Sequence, residues 1–373
     1  LIHTGCTTTS WLVGISILIV YFYNTDSNYT FACTMFINFY RIIVVVFLII
    51  NCVSCTPSFR NEMNTIIHEL NTKPKILWKA GLNFYPSFLK NVSRLMGVLP
   101  LNKLQTQDIL LTKKLSVARE PLPNSYDVTL KWPECKSVIS IRDQSNCGSC
   151  WALSTASAFG DRLCIASNRT INKVLSGEYI NSCCNGKCGD GCDGGYPEKA
   201  WKFIQKNGLC TGGEYGSNEG CQPYSIAPCP GTKYCSKKDN EATPQCYKDQ
   251  CTNNNYELSL QSDLYYTTKV YSVKPKMEVI MNEIIKNGPV VAAMKIYEDF
   301  LYYKSGIYEY TTGSLQGDHA IKLLGWGEDD GVHYWLCANT WGTTWGMNGF
   351  FKIRRGINEC GIETRITGGL PKL

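Results

Sequence analysis

A chain of 373 residues with 44% apolar composition exceeds one average domain and has ample material for a buried core. Its formal net charge of +6 is spread along the sequence without a Lys/Arg run, which argues against nucleic-acid binding. Twenty cysteines, sixteen of them from Cys135 onward, exclude a routine cytosolic protein and suit an oxidising compartment.

Residues 1–34 begin with Leu1 rather than Met and read as an upstream, non-native extension, with Met35 the true start. The alternative is a genuine extension whose apolar run Trp11–Phe22 acts in targeting. From Met35 the chain runs through Arg41 into nine apolar residues, Ile42–Ile50, and then small or uncharged residues at Val53, Ser54 and Cys55. A positive start, a short apolar run and a small-residue exit predict a secretory signal peptide over 35–55, too short to span a membrane. Asn64–Leu70 predicts a short helix stopped at Lys73-Pro74. Beyond Cys150, apolar residues at Trp151, Ala152, Phe159, Leu163 and Ile165 predict a buried helix of about four turns, interrupted by Thr155, Ser157 and Asp161. After about residue 290 the texture becomes β-type: Val290–Ala293, Ala320–Leu324 and Tyr334–Leu336, divided by Gly-rich turns.

Three segments carry chemistry. Gln144-Ser145-Asn146-Cys147-Gly148-Ser149-Cys150-Trp151 offers a thiol at the entrance to the predicted helix, with an amide six residues upstream. Gly317-Asp318-His319-Ala320 offers a base, and Ala338-Asn339-Thr340-Trp341-Gly342 an amide to orient it. His319 and Asn339 lie 169 and 189 residues beyond Cys150. The group Cys183, Cys184, Cys188 and Cys192 has a spacing that zinc can use, but no His lies between residues 69 and 318. With a secretory signal upstream, disulfides are the better reading.

These segments resemble the papain family of cysteine proteases, whose His and Asn usually follow the nucleophile by about 130–150 residues. The excess here fits an insertion in the Cys-rich stretch between Cys192 and Cys251. The runs Cys183–Pro197, Gly220–Ser225 and Asn348–Ile353 resemble the cathepsin B branch of that family, and the likeness extends from about Ser58 to the C-terminus. The resemblance implies an α+β, papain-like fold of two subdomains: a helical left half and a β-barrel-like right half, with the cleft between them. It implies an inhibitory propeptide over 56–121, carried by Trp78–Phe84, and a mature peptidase domain over 122–373 starting at Leu122-Pro123-Asn124-Ser125. The expected activity is a cysteine-type peptidase without cofactor or metal. Its partners would be peptide and protein substrates, its own propeptide and cystatin-type inhibitors; the mature part would have no membrane span and no nucleic-acid partner. The expected location is the secretory pathway, lysosomal or extracellular, a digestive lumen included.

By the same resemblance Cys150 is the nucleophile, His319 its partner and Asn339 the orienter of His319. Trp341 shields that last bond, and Gln144 donates to the oxyanion. A helix N-terminus and a neighbouring imidazolium are expected to depress the Cys150 pKa. Gly194 and Gly195 admit the substrate backbone, and Tyr196, Pro197 and Ala320 wall the P2 pocket. Glu363 is expected at the pocket base, where a carboxylate would pair with a P2 arginine. The implied disulfides are Cys135–Cys164, Cys147–Cys192, Cys183–Cys246, Cys184–Cys188, Cys221–Cys251 and Cys229–Cys235. Cys150, Cys210, Cys337 and Cys360 remain as thiols.

Three departures stand out. The branch carries an occluding loop with two adjacent histidines that hold a substrate's C-terminal carboxylate; here Cys229 and Cys235 enclose only Pro230–Tyr234, and the four histidines of the chain (His3, His68, His319, His333) all lie elsewhere. Asp143 thus lacks its loop partner, Lys233 is a poor substitute, and endopeptidase action is expected. Ser145 stands where a glycine is usual and would be strained at positive φ, displacing Gln144. Asp318 replaces a glycine before His319. The competing reading is a catalytically impaired homologue that binds peptides or inhibitors in its cleft. Asn168-Arg169-Thr170 and Asn91-Val92-Ser93 are glycosylation acceptors.

Overall fold

In the computed structural model, residues 61–84, 89, 92–101, 121–228 and 241–373 are described. Those from Glu62 to Leu373 belong to one unit, organised around a helix that water does not reach. This helix, Cys150–Ala166, runs 17 residues, and every side chain from Cys150 to Cys164 is buried. Full burial explains why its polar residues break the apolar pattern without breaking the helix. Thr155 donates to Trp151 O at 2.7 Å, Ser154 to Ala320 O at 2.9 Å, and Asp161 accepts from Ser137. A buried polar group that keeps a partner costs little.

Among the described residues four further helices of seven or more residues surround it or flank the sheet. We label them in chain order: α1 over residues 61–72, α2 (Cys150–Ala166), α3 (Gly177–Cys183), α4 (Pro197–Asn207) and α5 (Met277–Asn287). Pro197 at the first turn of α4 and Gly208 at φ +78° beyond its end fix its length, since proline needs no helical N–H there and glycine adopts the reversed backbone freely. Helices α2, α3 and α4, with Trp151, Phe159, Leu163, Ile180, Trp201 and Ile204, share one apolar core.

The second layer is a nine-stranded mixed sheet. Its strands are β1 (Trp78–Ala80), β2 (Tyr126–Asp127), β3 (Thr267–Val273), β4 (Val290–Tyr297), β5 (Tyr303–Tyr308), β6 (Leu315–Asp329), β7 (Val332–Ala338), β8 (Phe350–Arg354) and β9 (Arg365–Pro371). The order is β1-β5-β8-β7-β6-β4-β9-β3, with β2 added to β6. The three β runs read from the sequence fall in β4, β6 and β7. The sheet path has two distinct ends, β1 and β3, so the expected barrel-like half is an open sheet rather than a closed barrel. The upstream strand β1 takes one edge, antiparallel to β5, and so covers backbone groups that would otherwise be bare.

Five of the expected disulfides are present: Cys135–Cys164, Cys147–Cys192, Cys183–Cys246, Cys184–Cys188 and Cys221–Cys251. Cys150, Cys210, Cys337 and Cys360 are free thiols. The Cys229–Cys235 bridge, Lys233, Asn91, the signal peptide and the upstream extension lie outside the described residues. Among the described residues no cluster suits a metal ion and no helix is long and apolar enough to cross a membrane.

Candidate active site

The two halves each deliver half of the candidate site. Cys150 opens α2, so the unpaired N–H groups of a helix start surround its sulfur. His319 lies on β6 and Asn339 follows the last residue of β7. The antiparallel register of those strands, with Lys322 opposite Ala338, brings the two side chains together. His319 Nε2 meets Asn339 Oδ1 at 2.8 Å. Trp341 lies against the imidazole with ring centroids 4.8 Å apart. His319, Asn339 and Trp341 are all buried, so water does not compete for that bond.

Gln144 is held from three sides. Its backbone N–H donates to Thr340 O at 2.8 Å, and its side-chain Oε1 accepts from the Thr340 hydroxyl at 2.6 Å. That fixes the amide so that Nε2 donates to Cys147 O at 2.7 Å and to Leu95 O at 3.1 Å. Thr340 also donates its N–H to Asn339 Oδ1 at 2.8 Å. One threonine therefore orients both catalytic-site amides. It sits inside the motif read from sequence, between two residues given roles, but only the crossing of the two loops reveals its own.

Leu95 belongs to an upstream stretch, 92–101, that threads this site. Its carbonyl oxygen faces both Gln144 Nε2 and His319 Nδ1, the latter at 3.2 Å. Gly195 N–H donates to Gly97 O at 2.8 Å and Leu99 N–H to Gly195 O at 3.1 Å, while Val98 N–H donates to Asp318 O at 3.1 Å. A Cβ on Gly195 would lie 2.5 Å from the Trp151 ring, so only glycine allows the chain to pass there. Gly194 also lies against this stretch, since a Cβ on it would stand 3.0 Å from Gly97 O. Ala320 shares the apolar cluster of Val98, and Tyr196 and Pro197 open α4, with Pro197 buried.

Covering by this stretch reverses the expected titration of the pair. Burial pushes the Cys150 thiol up to about 11, against the N–H groups of Ala320, Gly97, Trp151 and Cys150, which pull the other way. Burial also lowers His319 to about 4, opposed by its bonds to Asn339 and Leu95. Both ring nitrogens face carbonyl oxygens, which only accept. A neutral ring has one N–H and satisfies one of them. In this covered state thiol and imidazole are both neutral, whereas the motif alone predicted a depressed thiol. The difference comes from a segment some fifty residues upstream in the chain, which local sequence does not register.

Ser145 does stand at φ +54°, as feared for a non-glycine residue. Gln144 is nonetheless in place, because the serine hydroxyl donates to Ala227 O at 2.6 Å and its N–H to Asp143 Oδ1 at 2.8 Å. Burial, and then Glu214, raise the Asp143 pKa. Glu363, expected at the pocket base, is buried and hydrogen-bonded. Its Oε1 accepts from Trp335 Nε1 at 2.9 Å and from Gly356 N–H at 2.6 Å, as a brace for the turn before β9. His333 is exposed and pairs with Glu328 at 3.2 Å.

A thiol on a helix start, an imidazole oriented by an amide and a second amide that shares the Leu95 carbonyl with that imidazole match the equipment of a cysteine peptidase. The profile described as "Papain family cysteine protease" matches residues 122–370, and the chain belongs to that family. Within it, the chain is 44% identical over 326 residues to cathepsin B-like cysteine proteinase 4 of Caenorhabditis elegans, covering 85% of this chain and 95% of that protein. It is 45% identical over 316 residues to cathepsin B-like cysteine proteinase 5 of the same organism, covering 83% and 90%. The solved proCathepsin B S9 from Trypanosoma congolense superposes with a TM-score of 0.71 at 33% identity, over 83% of this chain and 98% of that one. A recombinant stem bromelain precursor, at 23% identity and a TM-score of 0.58 over 83% of this chain and 89% of that one, shares the fold. The branch read from Cys183–Pro197 is the branch to which these first relatives belong.

Proposed function

We propose that the chain is a zymogen of a cysteine endopeptidase, with residues 56–121 as the inhibitory pro-segment and 122–373 as the mature enzyme of the secretory pathway. One observation carries the reading: Gln144 Nε2 and His319 Nδ1 converge on a single peptide carbonyl, that of Leu95, in a stretch whose Gly97 N–H reaches the Cys150 sulfur. A site that already receives a peptide in this way is built to receive one for reaction. The Gly97 N–H of the same stretch donates to the Cys150 sulfur, which supports a segment that covers the site.

Once the stretch leaves, water returns and the term that raises the thiol falls away. The helix start and the Ala320 N–H remain, and His319 takes the thiol proton to form an imidazolium that donates to Asn339 Oδ1. The Cys150 thiolate then attacks the substrate carbonyl carbon. The developing oxyanion takes hydrogen bonds from Gln144 Nε2 and the Cys150 N–H, an arrangement in which one lost donor typically costs about 10²–10³ in turnover. His319 donates its proton to the leaving amine, and water, deprotonated by the same imidazole, releases the acyl group. Endopeptidase action follows from the absence of histidine between residues 69 and 318, which leaves no imidazolium in the loop to hold a terminal carboxylate.

The test is covalent labelling by a thiol-directed epoxide after residues up to 121 are removed. Labelling at Cys150, peptide turnover, and loss of both in Cys150→Ala are expected. Labelling on Cys210, Cys337 or Cys360 with full activity would overturn the assignment, and no turnover at all would favour the peptide-binding homologue. A decapeptide digest, with free and amidated C-termini, tests the cleavage mode; stepwise dipeptides from the free form alone would refute endopeptidase action.

A further inference from the structure

Three neighbouring strands place Arg365, Ala293 and Ala320 in one row across the sheet, because Arg365 pairs with Ala293 and Ala293 with Ala320. Side chains in such a row share a face. The row ends at the cleft, where Val98 of the upstream stretch is 4% exposed and packs in the same apolar cluster as Ala293 and Ala320. Val98 is bracketed by the two Gly195 bonds, the one to Gly97 O and the one from Leu99 N–H. Val98 therefore fills a small pocket, and Arg365 stands at its rim.

The arginine is not a free charge. Glu198 takes it in a fork, with Nε to Oε1 at 2.6 Å and Nη2 to Oε2 at 2.8 Å. Both side chains are largely buried, 15% and 5% exposed. A forked pair of this kind is rigid, so the remaining nitrogen has a fixed direction. That nitrogen, Nη1, donates to Leu99 O at 3.0 Å. Tyr196 lies beside it, with the Arg365 guanidinium 6.0 Å and the Lys199 ammonium 4.4 Å from its ring centre. The pocket rim thus offers a donor and two cations, while both oxygens of the Glu198 carboxylate are turned to the guanidinium.

We propose that Arg365, held by Glu198, is the specificity determinant of the pocket that Val98 fills, admitting short aliphatic or acceptor-ended substrate side chains and rejecting cationic ones. The proposal rests on the cleft being a peptide site and names the substrate class it takes. With the upstream stretch gone, Nη1 loses Leu99 O and accepts a replacement acceptor: the end of a glutamine side chain, or a backbone carbonyl beside a valine. An arginine side chain brings only donors to a donor, and no carboxylate oxygen is free to receive it. This inverts the preference that a carboxylate at position 363 would have conferred.

The test uses the full chain bearing Cys150→Ala, folded intact and then cut after residue 121 by an added protease, so that binding is read without turnover. Three peptides, alike except for Val, Gln or Arg at the residue that pairs with Gly195, are titrated by fluorescence anisotropy. Val and Gln peptides are expected to bind at least about tenfold tighter than the Arg peptide. Arg365→Glu should reverse the order. Since Arg365→Glu sets a second carboxylate against Glu198, the double variant Glu198→Gln/Arg365→Gln, neutral and still hydrogen-bonding, is measured beside it; there the Val-to-Arg ratio should fall below about threefold. Equal binding of Val and Arg peptides to the unaltered pocket, or a Val-to-Arg ratio of about threefold or more in the double variant, overturns the proposal. Absence of epoxide labelling in the Cys150 enzyme, with this order of binding intact, would count against the peptidase reading alone.

Discussion

The helical half and the sheet half of this molecule are stiffened by different chemistry. All five described disulfides lie between Cys135 and Cys251, around α2, α3 and α4. The sheet half carries only the free thiols Cys337 and Cys360. Its rigidity comes from packed aromatics: Phe300 touches Tyr308, Trp341, Trp345 and Phe351, with ring centroids 4.7 to 5.9 Å apart. Covalent closure constrains the unfolded chain, whereas aromatic packing works through buried area and geometry in the folded one. The upstream segment docks on the second kind of surface, with Trp78 against Tyr308 and Phe84 edge-on to Trp341. Because Cys150 and Gln144 belong to one half and His319 and Asn339 to the other, function depends on how the halves are joined.

The join is ionic as well as apolar. Lys322, three residues after His319, reaches Asp161 of α2 at 2.8 Å and Ser137 O at 2.9 Å, with both charged side chains essentially buried. Arg162, the next residue of α2, contacts Glu283 at 3.0 Å. Removing one member of such a pair leaves an uncompensated charge in the interior. Lys322→Met is therefore expected to cost about 3–5 kcal/mol, while Asp161→Asn with Lys322→Met should recover most of it. Urea unfolding of the three proteins checks this. A single-variant loss below about 1 kcal/mol would mean that the halves are held without the ion pair.

The second expectation concerns the cover over the join. His319 is lowered to about 4 beneath Leu95, from an ordinary 6.5. In the Cys150→Ala chain, where no thiol shares its proton, an uncovered His319 binds a proton between those values that the covered site refuses. There the covered state is fully favoured above about pH 6.5, and that advantage is lost as pH falls toward about 4. From this group alone the open fraction of that variant should rise roughly twentyfold between about pH 7 and about pH 5. The rate at which an added protease cuts the upstream stretch of the variant measures it, normalised to the same protease on an unstructured peptide. A ratio flat across that window would show that another contact controls opening.

The same contrast explains what could be read from the sequence. Cys150, Gln144, His319 and Asn339 could be picked out as a candidate set because each sits in a short distinctive run: Gln144–Trp151, Gly317–Ala320 and Ala338–Gly342. Five disulfide pairings were legible by resemblance. Arg365 and Glu198 were not, since their pairing spans 167 residues and the role of Arg365 depends on cross-sheet register with Ala293. The bracing bonds of Glu363 were not legible either, for a related reason. Asn358 and Cys360 both take positive φ, and that turn carries the following glutamate to Trp335 and Gly356.

The smallest expected effect lies at Ser145, on the disulfide-rich side, where backbone strain and a hydrogen bond oppose each other. A non-glycine residue in the left-handed region costs roughly 1–2 kcal/mol. The hydroxyl bond to Ala227 O, of 2.6 Å, returns about 0.5–1.5 kcal/mol. Ser145→Gly removes both terms and adds some unfolded-state entropy, so its stability should stay within about 1 kcal/mol of the parent. Ser145→Ala keeps the strain and loses the bond, so it should be the less stable of the two by about 1 kcal/mol. Thermal unfolding distinguishes them. Turnover adds a second reading, because Gln144 is held by Thr340 through its own backbone and side chain. Both variants should therefore keep kcat within about threefold of the parent. An alanine variant as stable as the glycine one would mean that the Ala227 bond contributes nothing, and a large loss of kcat in either would place Ser145 in control of the oxyanion amide.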